Sequence, residues 1–329
     1  MRTPPTLPKH QHGALLILLV IALGILAATV FVGMLSSSDI QNQRDKTTAA
    51  ALAEAKAAMV GFALANQDTP GGLSYPDRGA DGNYDGHGDC VTSGFNNSQL
   101  LGKFPTLVED GCTGSFGIPA FETDPRDAAG ERVWYAVSQN LVKRTGANFP
   151  TINTTTLATA QNWLTVRDQN GNVLSNQVAF IIIAPGVALA GQNRSGAIPP
   201  VQNFLDNYTA NGTIYKNWDS DLDFISAPPT NNAVNQFNDR LFYVTASELA
   251  NRLVDRVAGT VRGNLPHPFP TTLDTSTFPA WYNANWTGVT HYSQLTPDKA
   301  TISFDNCAST YTFIWNTNHT DMARSSNQC

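Results

Sequence analysis

The stretch Gly13–Leu35, GALLILLVIALGILAATVFVGML, constrains the chain more than any other. From Ala14 to Leu35 no residue is charged, and only Thr29 is clearly polar. A helix rises about 1.5 Å per residue, so this run makes a rod of roughly 33 Å, enough to cross a hydrocarbon core of about 30 Å. In lipid the backbone must satisfy its own hydrogen bonds, and a helix does so. The run also exceeds the roughly 7–15 apolar residues of a removable signal peptide. A short polar leader, MRTPPTLPKHQHG, precedes it, and an alanine-rich, helix-prone run follows to about Gln67. Arg2 and Lys9 on one flank face Arg44 and Lys46 on the other, so positive charge does not set the orientation.

From Met1 to roughly Gln67 this arrangement resembles the type IV pilin and type II secretion pseudopilin family. The matching residues are Lys9 and Gly13 before the junction, Ala14-Leu15-Leu16-Ile17-Leu18 after it, and Ala22-Leu23-Gly24-Ile25-Leu26-Ala27-Ala28 within the helix. The resemblance implies cleavage by a prepilin peptidase between Gly13 and Ala14. It further implies that Leu15, Leu18, Leu19, Leu23, Gly24 and Leu26 belong to a helix that first spans the bacterial inner membrane. That helix would later pack against the helices of other pilin or pseudopilin subunits, with the head in the periplasm and then in a filament. Two departures stand out. Most members begin the mature chain with Phe and carry Glu at its fifth place, whereas here these are Ala14 and Leu18.

The missing Glu has a physical meaning. A charge at the centre of a membrane helix costs about 2.5–3.5 kcal/mol on insertion scales, so it persists only where a partner offsets that cost. In the family the partner is a neighbouring subunit's N-terminal amine. A subunit at the distal end has no neighbour beyond it, so Leu18 fits a minor, tip or initiating member. The competing reading is a permanently membrane-anchored extracytoplasmic binding protein or adhesin, with Trp281, Trp286 and Trp315 near a ligand or in the core. Cleavage after Gly13 separates the two, since only the first requires it.

Charge and motifs exclude other classes. The net charge of −6 becomes −8 when Arg2 and Lys9 leave with the leader, which argues against tracking nucleic-acid phosphates. Charged residues make up 14% of a chain rich in Asn, Thr, Ser and Gly, the surface of an exported, β-rich head. No HExxH, GxSxG, phosphate-binding loop or dinucleotide fingerprint occurs, and the histidines are scattered, so an enzyme is not expected.

Cys90 and Cys112 are 22 residues apart, as are Cys307 and Cys329. Four cysteines allow three connectivities, which the sequence alone leaves open. Local pairing is the expectation, each bridge contributing roughly 3 kcal/mol in the chain-entropy model. Cys329 ends this sequence, so its bridge would hold an otherwise fraying end, and many type IV pilins have a C-terminal disulfide loop. Between Tyr75 and Cys90, Asp81, Asn83 and Asp85 have the spacing that opens a calcium loop, with Gly86 at the turn and Asp89 at the ninth place. Thr92 stands where a bidentate Glu would close such a loop, so a complete EF-hand is excluded. The two readings are a structural Ca²⁺ site at Asp81, Asn83, Asp85 and Asp89, or a solvated turn. Asp219, Asp221 and Asp223 pose the same choice between a second calcium site and a solvated strand edge.

The expected architecture is α+β and pilin-like: leader 1–13, long N-terminal helix 14–67 with a membrane half and a head-packed half, and β-rich head 68–329. Met59, Phe62 and Ala63 recur at helical spacing and would face the head, and Thr69-Pro70-Gly71-Gly72 ends the helix. Asp124–Val137 reads as a turn entering a strand. Asn170-Gly171 marks a hairpin between Trp163–Arg167 and Val173–Leu174, with positive φ expected at both turn residues. Gln177–Ala184 reads as a buried central strand of an antiparallel sheet, and Gly191–Asn238 as polar and irregular. Leu241–Val244 is a strand leading to a helix with a capping box at Thr245 and Glu248 and a stripe of Leu249, Leu253, Val257 and Val261. Ala300–Phe304 and Tyr311–Trp315 pair around Cys307.

Overall fold

The computed structural model describes residues 39–91, 94–107, 123–143, 150–326 and 328–329. The chain divides into two units, Met1–Thr47 and Thr48–Cys329. Core and sheets belong to the second, which is α+β. Helix α1, Asp39–Ala65, is long and apolar enough to span a membrane. Its composition has a second use. Ala51, Leu52, Ala55, Met59, Phe62 and Ala63, spaced by one helical turn, are all buried in the head's core. Asn66, itself fully buried, stops the helix by accepting the N–H groups of Asp68 and Thr69 at 3.1 and 2.9 Å. Gly71 then turns at φ +96°, where a Cβ would lie 2.6 Å from Ile152 and 2.9 Å from Leu253.

The main sheet is organised on β4, Val173–Ala184. Its second half, Val178–Ala184, is buried throughout, which is why the FIII run needs no alternation. β2 (Trp134–Val137) pairs antiparallel with Phe180–Ile183, and β3 (Leu164–Arg167) with Val173–Val178. β10 (Arg240–Thr245) pairs with Val178–Ala184. β1 (Leu101–Lys103) adds to β2, and Asp77 bridges onto Lys103 beyond it. Gly102 is required there, since a Cβ would meet the Asp77 carbonyl oxygen at 2.4 Å. The sheet departs from the antiparallel expectation at one strand: β7 (Asp223–Ile225) runs parallel to β3. An ion pair from Arg167 Nε to both oxygens of Asp223, at 2.9 and 2.8 Å, fixes that register.

Three local expectations are modified. At the β3–β4 hairpin only Gly171 has positive φ, at +79°. Asp168 accepts the N–H groups of Asn170 and Asn172, so a type I turn followed by a left-handed glycine replaces the two-residue turn. Gly191–Asn238 is folded into short ribbons, β5 (Asn207–Ala210) with β6 (Thr213–Lys216) and β8 (Thr230–Asn231) with β9 (Gln236–Phe237). Asp219 and Asp221 lie in a turn, each accepting the N–H two residues ahead.

α2 (Thr154–Thr159) packs beside α3 (Ala246–Asn264). Leu249, Leu253, Val257 and Val261 of α3 are completely buried, as the stripe required. Thr245 caps α3 by accepting the Glu248 N–H at 3.1 Å. The reciprocal half of the capping box is not made, because the Glu248 carboxylate is 2.9 Å from Lys56 Nζ on α1. After α4 (Ala280–Asn285), a four-stranded meander closes the described fold: β11 (Thr290–Thr296), β12 (Lys299–Phe304), β13 (Thr310–Asn316) and β14 (His319–Arg324). Cys307, between β12 and β13, is bonded to Cys329.

Candidate functional site

Gly13, Ala14, Leu15, Leu18, Leu19, Leu23, Gly24 and Leu26 lie outside the described residues, as does Cys112. Cys90 is disulfide-bonded. Among the described residues, the open face of α1 is the candidate contact surface. Beside the stripe committed to the core, Ala53, Ala57, Val60, Gly61 and Leu64 form a second apolar line along the helix. With Lys56, Phe242 on β10, and Glu248 and Arg252 on α3, they line a groove of about 460 Å³. Ala53, Ala57 and Gly61 stand one turn apart, so the groove floor is backbone and methyl groups. A Cβ built on Gly61 meets nothing within 4 Å. The Lys56–Glu248 pair, 2.9 Å apart with side chains 32% and 41% exposed, links α1 to α3 beside the groove.

The Asp-rich segment uses its carboxylates on its own backbone. Asp81 accepts the Asn83 N–H at 3.3 Å, and Asp85 accepts the His87 N–H at 2.8 Å while lying 3.1 Å from the His87 ring. Asp89 accepts the N–H groups of Arg78 and Ala80. Among the described residues no three His, Cys, Asp or Glu side chains are grouped to hold a metal ion. The sequence reading overlooked Asp77, which organises the loop from inside. It is 1% exposed, accepts the Gly86 N–H at 2.7 Å and the Gly79 N–H at 3.2 Å, and pairs with Arg132 at 3.1 Å. Burial pushes its carboxyl up to about 6 against the pull of those partners. The signal available was a short acid two residues before a glycine, the start of an Asx turn.

A second buried polar cluster ties the 191–238 region together. Asp239 is fully buried, and its Oδ2 accepts the Asp206 N–H and the Asn217 amide, both at 2.9 Å. Asp206 accepts the Asn238 N–H at 2.7 Å and the Gln192 amide at 2.9 Å. Asn217 exchanges hydrogen bonds with the backbone of Ile225. Arg194 donates to the carbonyls of Gly186 and Asn203 and lies 3.3 Å from Glu131. Burial pushes Asp206 up to about 6. Burial, then the Asp206 charge, hold Asp239 well above the carboxylate range. These acids organise structure; the hydrogen bonds above engage both Asp206 oxygens and one Asp239 oxygen.

Trp281 and Trp286 are core residues, 7% and 0% exposed. Half-buried Trp315 is covered by the His267 ring, stacked at 4.4 Å. Compared with models of known families, with curated proteins and with solved structures, the chain matches none.

Proposed function

We propose that this chain is a minor pilin or pseudopilin, an assembly subunit that primes or caps a type IV pilus-like filament. The observation that carries the reading is the uncharged run Ala14–Leu35, which follows a leader ending in Gly13 and leads toward the head-packed helix α1. In this mechanism the apolar run holds the subunit in the inner membrane until it is extracted. It then packs among the helices of neighbouring subunits. The second apolar line of α1 supports the reading, since Ala53, Ala57 and Gly61 let a partner helix approach closely where larger side chains would hold it off. The Cys307–Cys329 bridge suits a head that works outside the reducing cytosol.

The test is the mass of the N-terminal peptide of the mature protein, measured for the wild type and for Gly13→Val. A wild-type terminus at Ala14, lost in the variant, is the expected result. An intact Met1 terminus, or cleavage after Ala27 or Ala28, would sink the reading and leave the anchored binding protein in its place.

A further inference from the structure

A cleft of about 410 Å³ opens beside the end of α1. It is lined by Gln67 and Asp68 after that helix, Arg256 of α3, and Pro279, Ala280 and Trp281 at the start of α4. The Arg256 guanidinium lies over the Trp281 ring, 5.2 Å from its centroid. Its Nη1 is buried without a hydrogen-bond partner among the described residues, and burial depresses its basicity with no charge among those residues to offset the effect. Arg256 differs in this from Arg132, Arg167, Arg194 and Arg324, each of which has a carboxylate within 3.3 Å. A partly desolvated cation without a counter-charge is destabilising, and a ligand that supplies the missing acceptor removes the penalty.

The shape of the site narrows that ligand. A guanidinium presents a planar fork that matches a carboxylate in two parallel hydrogen bonds. Asp68 lines the same cleft, exposed, and makes no ion pair with Arg256. Its negative charge disfavours a doubly charged anion such as phosphate and favours a hydrogen-bond donor at the ligand's other end. We propose that the cleft binds a small carboxylate that carries a donor group at its far end. The carboxylate sits on Arg256, and the donor, an ammonium or hydroxyl, sits on Asp68 and Gln67. Amino-acid zwitterions and sugar acids share this chemistry. The site is independent of whether the chain enters a filament.

The full chain in detergent micelles, titrated calorimetrically with acetate, glycine and glucuronate, tests the assignment. Glycine or glucuronate should bind saturably and about tenfold or more tighter than acetate, reflecting the added charge-assisted hydrogen bond. The tighter of the two identifies the source as amino acid or sugar acid. Arg256→Gln should abolish binding of all three, whereas Asp68→Asn should reduce the tighter ligand to the level of acetate. Arg256→Lys, which keeps the charge and loses the fork, should weaken binding and serves if the glutamine variant does not fold. Thermal melts of each variant report folding. The proposal is overturned if no probe binds the wild type saturably, if acetate binds as tightly as the others, or if binding survives unchanged in folded Arg256 variants.

Discussion

Asp239, Asp206 and Asp77 affect stability in the opposite sense to a surface acid. Burial raises each of them, so the folded chain holds these protons more tightly than the unfolded chain does. The contribution of Asp206 and Asp77 is therefore complete below the ordinary carboxylate value and is lost as pH rises through about 6, and Asp239 acts in the same direction. Asp221, pushed up to about 6 by burial and then by Asp219, acts in the same direction. The acids held low by hydrogen bonds, Asp85, Asp168 and Asp274, lie on the surface and act at more acidic pH. Chemical denaturation should thus give a lower midpoint at pH 7.5 than at pH 5. Asp239→Asn, which keeps an acceptor for Asp206 and Asn217, should flatten that slope, and an unchanged slope would refute the assignment. None of this was legible in the sequence. Asp206, Asn217 and Asp239 are scattered through a polar run, and only the closing of the short ribbons buries them together. Asp223 shows the same limit, because its partner Arg167 lies on another strand and leaves no local pattern.

At the scale of elements, signals carried by one contiguous stretch were readable and those carried by pairing were not. The buried run Phe180–Ile183, the α3 stripe and the Thr245 cap are contiguous, and the structure contains all three. The partner of Glu248 is on α1, so spacing alone pointed to a capping box that is only half made. β11 and β14 are short and mostly polar, and they become strands by pairing with β12 and β13. Two substitutions test the elements. Gly61 is interior to α1 with open space around it, so Gly61→Ala should stabilise the head by about 1 kcal/mol in urea unfolding. A loss of stability would mean that the site is more crowded than the groove indicates. Cys307→Ser removes a bridge that closes 22 residues of sequence and should cost about 3 kcal/mol, with the meander the first region to exchange amide hydrogens. If global stability fell without early exchange in β12–β14, the bridge would be stabilising more than the meander.

At the scale of the whole molecule two apolar segments compete for the role of membrane anchor. Ala14–Leu35 is uncharged from end to end, whereas α1 owes much of its hydropathy to Ala51, Leu52, Met59, Phe62 and Ala63. Those side chains already occupy the core of the head, and withdrawing them into lipid would expose β4 and α3 to water. At about 25 cal/mol per Å² of apolar surface, that exchange is strongly unfavourable for a folded head. The second line of α1, with Ala53, Ala57, Gly61 and their neighbours, is too narrow and too close to Lys56, Glu248 and Arg252 to lie in hydrocarbon. The anchor should therefore be separable from the fold. A chain beginning at Asp39, exported so that its disulfides form, should fold, run as a monomer on gel filtration and stay in the supernatant after alkaline extraction of membranes. The full chain should remain in the pellet under the same extraction and require detergent for release. A truncated chain that still pellets would show α1 itself entering the bilayer, and the head would then have to open to let it do so.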